Sequence, residues 1–320
     1  MPEEPHAFTT IQYPMMTSQN KTQRDPQPWQ LHIPQPRRTS WFFLAVFFTL
    51  ALAMSAAIVF LVFRDPRRWL WPAWRLQTAT HGALDLTLSA NVLNLIVLVG
   101  GVLILIGGMR AKDLGLAWSR LPLGVLATMA VLIGLYIFQW IAFKVTGQTM
   151  GWNPAWNSAD WPAAMGRWLN QLFGNTLFEE IVYRGFLLGQ IYLLLGRKYE
   201  SRPQPRLTLA LLISQALFAL SHVPINLANN ASPWIFVAQF VSGLLFAGVY
   251  LLTRNLFFVM GVHTLVNGPP PPWSEWVNGG VVTGVAMLIA VIAALIWTLI
   301  ARRRSDSDPI VRLSSESVSS

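Results

Sequence analysis

Residues 41–63 read Trp41-Phe-Phe-Leu-Ala-Val-Phe-Phe-Thr-Leu-Ala-Leu-Ala-Met-Ser-Ala-Ala-Ile-Val-Phe-Leu-Val-Phe63, 23 residues without a charge. At ~1.5 Å per helical residue this run spans ~35 Å, enough to cross the hydrocarbon core of a bilayer. Arg37 and Arg38 flank one end, and Arg64, Arg67 and Arg68 the other. Trp69, Trp71 and Trp74 follow, in the manner of an interfacial aromatic belt. The run is too long for the apolar region of a signal peptide, and the 40 residues before it are too mixed in charge to precede one.

Further apolar runs lie near 83–107, 121–143, 168–195, 206–222, 233–253, 255–267 and 279–301. Their length and uniformity predict helices rather than barrel strands. The expected fold class is therefore all-α, a polytopic transmembrane helix bundle of about eight spans. The run at 255–267 is short enough to be a half-span. Residues 1–40 are polar and rich in Pro, Gln and Thr, and 302–320 are rich in Ser and Arg. Both are expected to be disordered polar tails around a membrane domain at 41–301.

Composition agrees. Charged residues make up 12% of the chain, about half the ~25% of a soluble domain, too few to cover a water-facing surface. The net charge of +9 suggests nucleic acid, but the basic residues sit at the ends of apolar runs instead of on one domain. No nucleic-acid partner is expected; the bilayer itself is. With the amino terminus in the cytoplasm, 16 of the 23 Lys and Arg fall on inside segments and five on outside loops. This bias predicts that both termini are cytoplasmic. The absence of cysteine removes thiol catalysis and thiolate zinc sites.

The fourth run carries groups that hydrocarbon rejects: Gly174-Asn-Thr-Leu-Phe-Glu179-Glu180-Ile-Val-Tyr183-Arg184-Gly185-Phe186. Each buried charge costs at least ~2.5–3.5 kcal/mol on insertion scales. Glu180 and Arg184, at i and i+4, share a helix face and are expected to form an ion pair. Glu179 lies ~100° round the helix and is expected to face elsewhere, without an arginine. One carboxylate is thereby neutralised, and the other is left for chemistry. Two further intrusions follow. His222 comes four residues after Phe218, and His263 four before Asn267. Each alone reads as a helix–helix hydrogen bond. Together, in order on successive spans, they suggest convergence on one water-filled pocket.

Glu-Glu-x-x-x-Arg, Phe-x-x-x-His and His-x-x-x-Asn on neighbouring membrane helices resemble the CAAX protease and bacteriocin-processing (CPBP, or Abi) family of intramembrane proteases. That family includes the Ras-converting CAAX endopeptidase. The motif core covers about 166–267. The resemblance implies hydrolysis of a peptide bond in a peptide or membrane-protein substrate. Glu179 and His222 would activate a water, and His263 and Asn267 would stabilise the oxyanion. Glu180, Arg184 and Phe218 would hold the helix or orient substrate. It also implies an integral protein of a bacterial cytoplasmic membrane. The family has long been described as metalloproteases, and zinc, if present, would be held by Glu179, His222 and His263. No His-Glu-x-x-His is present, so such a site would be assembled across helices. The expectation is a metal-free, glutamate-type hydrolase with no cofactor. Gly-x-Ser and Gly-x-Gly-Asp, marks of serine and aspartyl intramembrane proteases, are both missing. The rival readings are an inactive scaffold or sensor of the same fold and a proton-coupled transporter, which ion flux in vesicles would reveal.

Overall fold

The computed structural model describes residues 37–147, 149, 151–196, 202–268, 271–273 and 279–306. Most of the two expected tails, 1–36 and 307–320, lies outside these residues. Among the described residues the protein is helical throughout, with no strand beyond a single bridge between Trp152 and Trp273.

Eleven helices are used below. They are α1 (Trp41–Val62), α2 (Pro66–Trp69), α3 (Trp71–Ala79), α4 (Leu86–Ile106), α5 (Leu121–Thr146) and α6 (161–195). They continue with α7 (Pro203–Ser221), α8 (Val223–Ala228), α9 (Trp234–Thr253), α10 (Leu256–Val266) and α11 (Gly279–Asp306). Six helical stretches are long and apolar enough to cross a membrane: α1, α4, α5, α7 with α8, α9 and α11. The other two expected runs take different forms. α6 is long but carries the charges, and α10 is an apolar helix of 11 residues. The protein is a polytopic all-α bundle, integral to the membrane.

Local chemistry sets the helix ends. The Ser40 hydroxyl accepts from the Phe43 amide at the start of α1, and Asp85 accepts from Leu88 at the start of α4. Asp85 thus stands just outside its helix as a cap, with its carboxyl raised above the usual range by burial. α9 ends on Arg254 in the left-handed region, φ +53°, and Asn255 at once caps α10 by accepting from Phe257 and Phe258. Two helices therefore abut with almost no loop. This reversal carries α10 into the middle of the bundle.

Small residues admit α10 there. A side chain at Gly124 of α5 would strike Phe257 and the Phe258 amide, and one at Gly261 would strike Thr128. The Thr176 and Thr264 hydroxyls share a hydrogen bond of 2.9 Å between α6 and α10. At Gly185, a Cβ would collide with the Leu114 carbonyl. That glycine lets the 111–114 turn press on α6. α6 itself opens into wide, π-type turns at Asn170–Thr176 and Glu180–Leu187, on either side of Glu179. Such turns recur at functional sites.

Candidate active site

Arg184 and Glu180 are the most deeply buried charged residues among the described residues. Arg184 Nη1 donates to Glu180 Oε1 at 3.0 Å, and its Nη2 donates to the Gly243 carbonyl of α9 at 3.3 Å. The guanidinium lies 4.4 Å from the ring centre of Phe218 and 5.3 Å from that of Phe246. Aromatic faces stabilise a cation that water cannot reach. The i, i+4 pair thus forms as expected from its spacing, and Phe218 serves as one face of the arginine's slot.

His263 does more than its spacing with Asn267 suggested. Its ring stacks on Phe246 at 4.2 Å, and it stands between the two carboxylates. Nδ1 is 2.7 Å from Glu180 Oε1, and Nε2 is 3.5 Å from Glu179 Oε2. The expectation that Glu179 and Glu180 face apart is therefore corrected, because both meet one imidazole. Glu179 and Glu180 keep regular helical dihedrals, and the imidazole reaches both because its two nitrogens lie on opposite sides of the ring.

His222 ends α7. Its Nδ1 is 2.8 Å from the Phe218 carbonyl, and its Nε2 is 3.6 Å from Glu179 Oε1. A carbonyl oxygen only accepts, so Nδ1 carries the proton and Nε2 presents its lone pair. The same logic applies to His263, whose Nδ1–H donates to the Glu180 carboxylate. Glu179 is thus flanked by two imidazole nitrogens, each oriented by a hydrogen bond on the far side of its ring. Glu179 Oε2 has no hydrogen-bond partner and is buried.

Glu179, His222, His263 and Asn267 all line one cavity of about 540 Å³. Asn267 sits on its wall, where its Nδ2 donates to Gln171 Oε1 at 2.9 Å. Gln171 was not singled out in the sequence, although it lines the same cavity as Glu179 from two turns earlier on α6. Phe246 left no sequence signal at all, being one apolar residue among many in α9.

A family model for type II CAAX prenyl endopeptidase, Rce1-like, matches residues 161–268. The chain carries an Rce1-like domain. The match begins where α6 begins and ends just after Asn267, so the Rce1-like domain contains every residue of the cluster described above. It supports a CAAX-protease-type endopeptidase of the membrane. No curated protein and no solved structure matches the chain.

Among the described residues, no three His, Cys, Asp or Glu side chains are grouped so as to hold a metal ion. The nearest approach to a donor set is Glu179 with the Nε2 atoms of His222 and His263 at 3.6 and 3.5 Å.

Proposed function

We propose that the protein hydrolyses a peptide bond within the membrane, with Glu179 as the base that activates water. The observation that carries this reading is the pair of imidazole Nε2 atoms held 3.6 and 3.5 Å from the two oxygens of one buried carboxylate. A water at ~2.8 Å from both Glu179 Oε1 and His222 Nε2 closes a triangle on the 3.6 Å side. That water donates one proton to Glu179 while the His222 lone pair accepts its second O–H, which leaves an oxygen lone pair for the substrate carbonyl carbon.

Charge balance supplies the rest. Two carboxylates and one guanidinium leave the cluster one negative charge in excess, and an uncompensated buried charge is costly. One additional proton on the cluster removes that excess. When His263 carries it, both ring nitrogens donate, and the Glu180 contact holds the imidazolium in place. His263 and the second N–H of Asn267 Nδ2 then face the developing oxyanion, a contribution of ~3–4 kcal/mol per well-placed donor. On collapse the C–N bond breaks. The proton taken by Glu179 passes to the leaving nitrogen, directly or through His222 Nε2, giving an amine and a carboxylic acid. The substrate is a peptide or membrane protein, and both termini of the chain lie in the cytoplasm.

The test is cleavage of a peptide library by the purified protein in liposomes, before and after dialysis against a chelator. Unchanged turnover is expected. Loss of turnover that zinc restores would replace this mechanism with a metal-dependent one.

A further inference from the structure

α4 carries Thr87, Asn91 and Asn94 at i, i+4 and i+7, and all three line the cavity that holds Glu179. α6 presents Gln171, Asn175 and Glu179 to the same cavity at i, i+4 and i+8. The outward residues of α4, including Val92, Leu93 and Ile96, are apolar. A polar stripe on an apolar helix requires a physical reason, because a side-chain amide is costly to bury without partners. For part of the stripe the protein provides one. Asn91 Nδ2 donates to Asn170 Oδ1 at 3.2 Å, and Gln171 Oε1 accepts from both Asn267 and Asn175. Gly174 makes room for this contact, since a Cβ there would press on Asn170 and Asn91.

Asn94 has no such reason. It is 8% exposed, and its Oδ1 is buried without a hydrogen-bond partner. A polypeptide about to be cut has the complementary need. Its scissile carbonyl must be open to attack, so any helix there must unwind. In an apolar medium each N–H and C=O so freed needs a new partner. A side-chain amide offers a donor and an acceptor in one group, the same pair that a peptide unit presents.

We propose that the Thr87–Asn91–Asn94 stripe is a main-chain binding subsite for an unwound, extended polypeptide segment, with the Asn94 amide turning into the cavity so that its Oδ1 accepts a substrate N–H. This rests on the proteolytic reading of the same cavity. It assigns the substrate class: segments whose helix opens easily, recognised through their backbone more than through their side chains.

Binding can be measured apart from cutting. The chain has no cysteine, so one introduced thiol reports alone. In a Glu179→Gln background, Thr87→Cys and Val92→Cys are each exposed, under mild oxidation, to a Leu/Ala peptide of about 20 residues. The peptide carries a central Gly-Pro and one cysteine. Disulfide capture at Thr87→Cys is expected to exceed that at Val92→Cys about tenfold. Adding Asn94→Leu should lower it about tenfold, the scale of one buried hydrogen bond. N-methylation of the peptide amide next to the Gly-Pro should weaken capture similarly, and this arm needs no change at Asn94. Equal capture at both thiols, or indifference to both Asn94→Leu and N-methylation, would overturn the subsite. Selective capture by a protein whose wild-type form cuts nothing would leave the subsite standing and remove the proteolytic reading. Cutting that ignores Asn94→Leu and N-methylation would do the reverse.

Discussion

α1 and the centre of α6 are both helices in the apolar part of the chain, yet their relation to the bundle is opposite. α1 has a mean hydropathy of 2.6 over its best window, only 17% of which is buried inside the protein. Phe42, Leu50 and Leu61 stand outside the packed bundle, on the surface that lipid covers. Glu180–Leu187 of α6 contains a carboxylate and a guanidinium, and every residue in it is buried. In water the charged helix would face outward and the apolar one inward. Here the solvent is hydrocarbon, so charges are kept at the centre, where they find one another.

The largest way to break this contrast is to unpair the centre. Arg184→Ala leaves Glu180 with His263 alone, and removing one partner of a buried pair costs ~3–5 kcal/mol. Thermal unfolding in detergent should show a strongly lowered Tm. Glu180→Gln with Arg184→Met should recover part of that loss, since the glutamine oxygen still accepts from His263 Nδ1. A double variant no more stable than Arg184→Ala would argue against the pair as a stability element.

Asn267 lies at the boundary between the buried centre and the open cavity, and is itself exposed. Asn267→Ala should therefore leave Tm nearly unchanged while lowering turnover ~10²–10³-fold, the cost of one oxyanion donor. A fall in Tm without a fall in turnover would make Asn267 a strut for Gln171 instead. The smallest effect belongs to α1. Leu50→Ala exchanges one lipid-facing apolar side chain for another, and a stability change within ~0.5 kcal/mol is expected. A larger change would mean that this face of α1 meets protein.

Much of this was legible in the chain because length and spacing report directly on helices in a bilayer. The apolar run of α1 and the i, i+4 relation of Glu180 to Arg184 needed no tertiary knowledge. The short helix α10 was visible as a run too brief to span. The position of His263 between two carboxylates was not legible. It depends on α10 reaching the bundle centre, which leaves no local pattern. Gln171 was missed because an amide attracts less notice than a charge, and because i and i+8 stand ~80° apart on a regular helix, so spacing alone does not set it on the Glu179 face. The share of Phe246 in the site lies wholly in packing.

The central claim is that Glu179 is the base, and one comparison tests it most directly. Wild-type protein and Glu179→Gln, both reconstituted in liposomes and shown to be folded by their Tm, are assayed on the same peptide. Glutamine keeps the size and hydrogen bonding of the side chain but cannot accept the proton. The account predicts a loss of ~10²–10⁴-fold in turnover with little change in Tm. Full turnover by well-folded Glu179→Gln would contradict it.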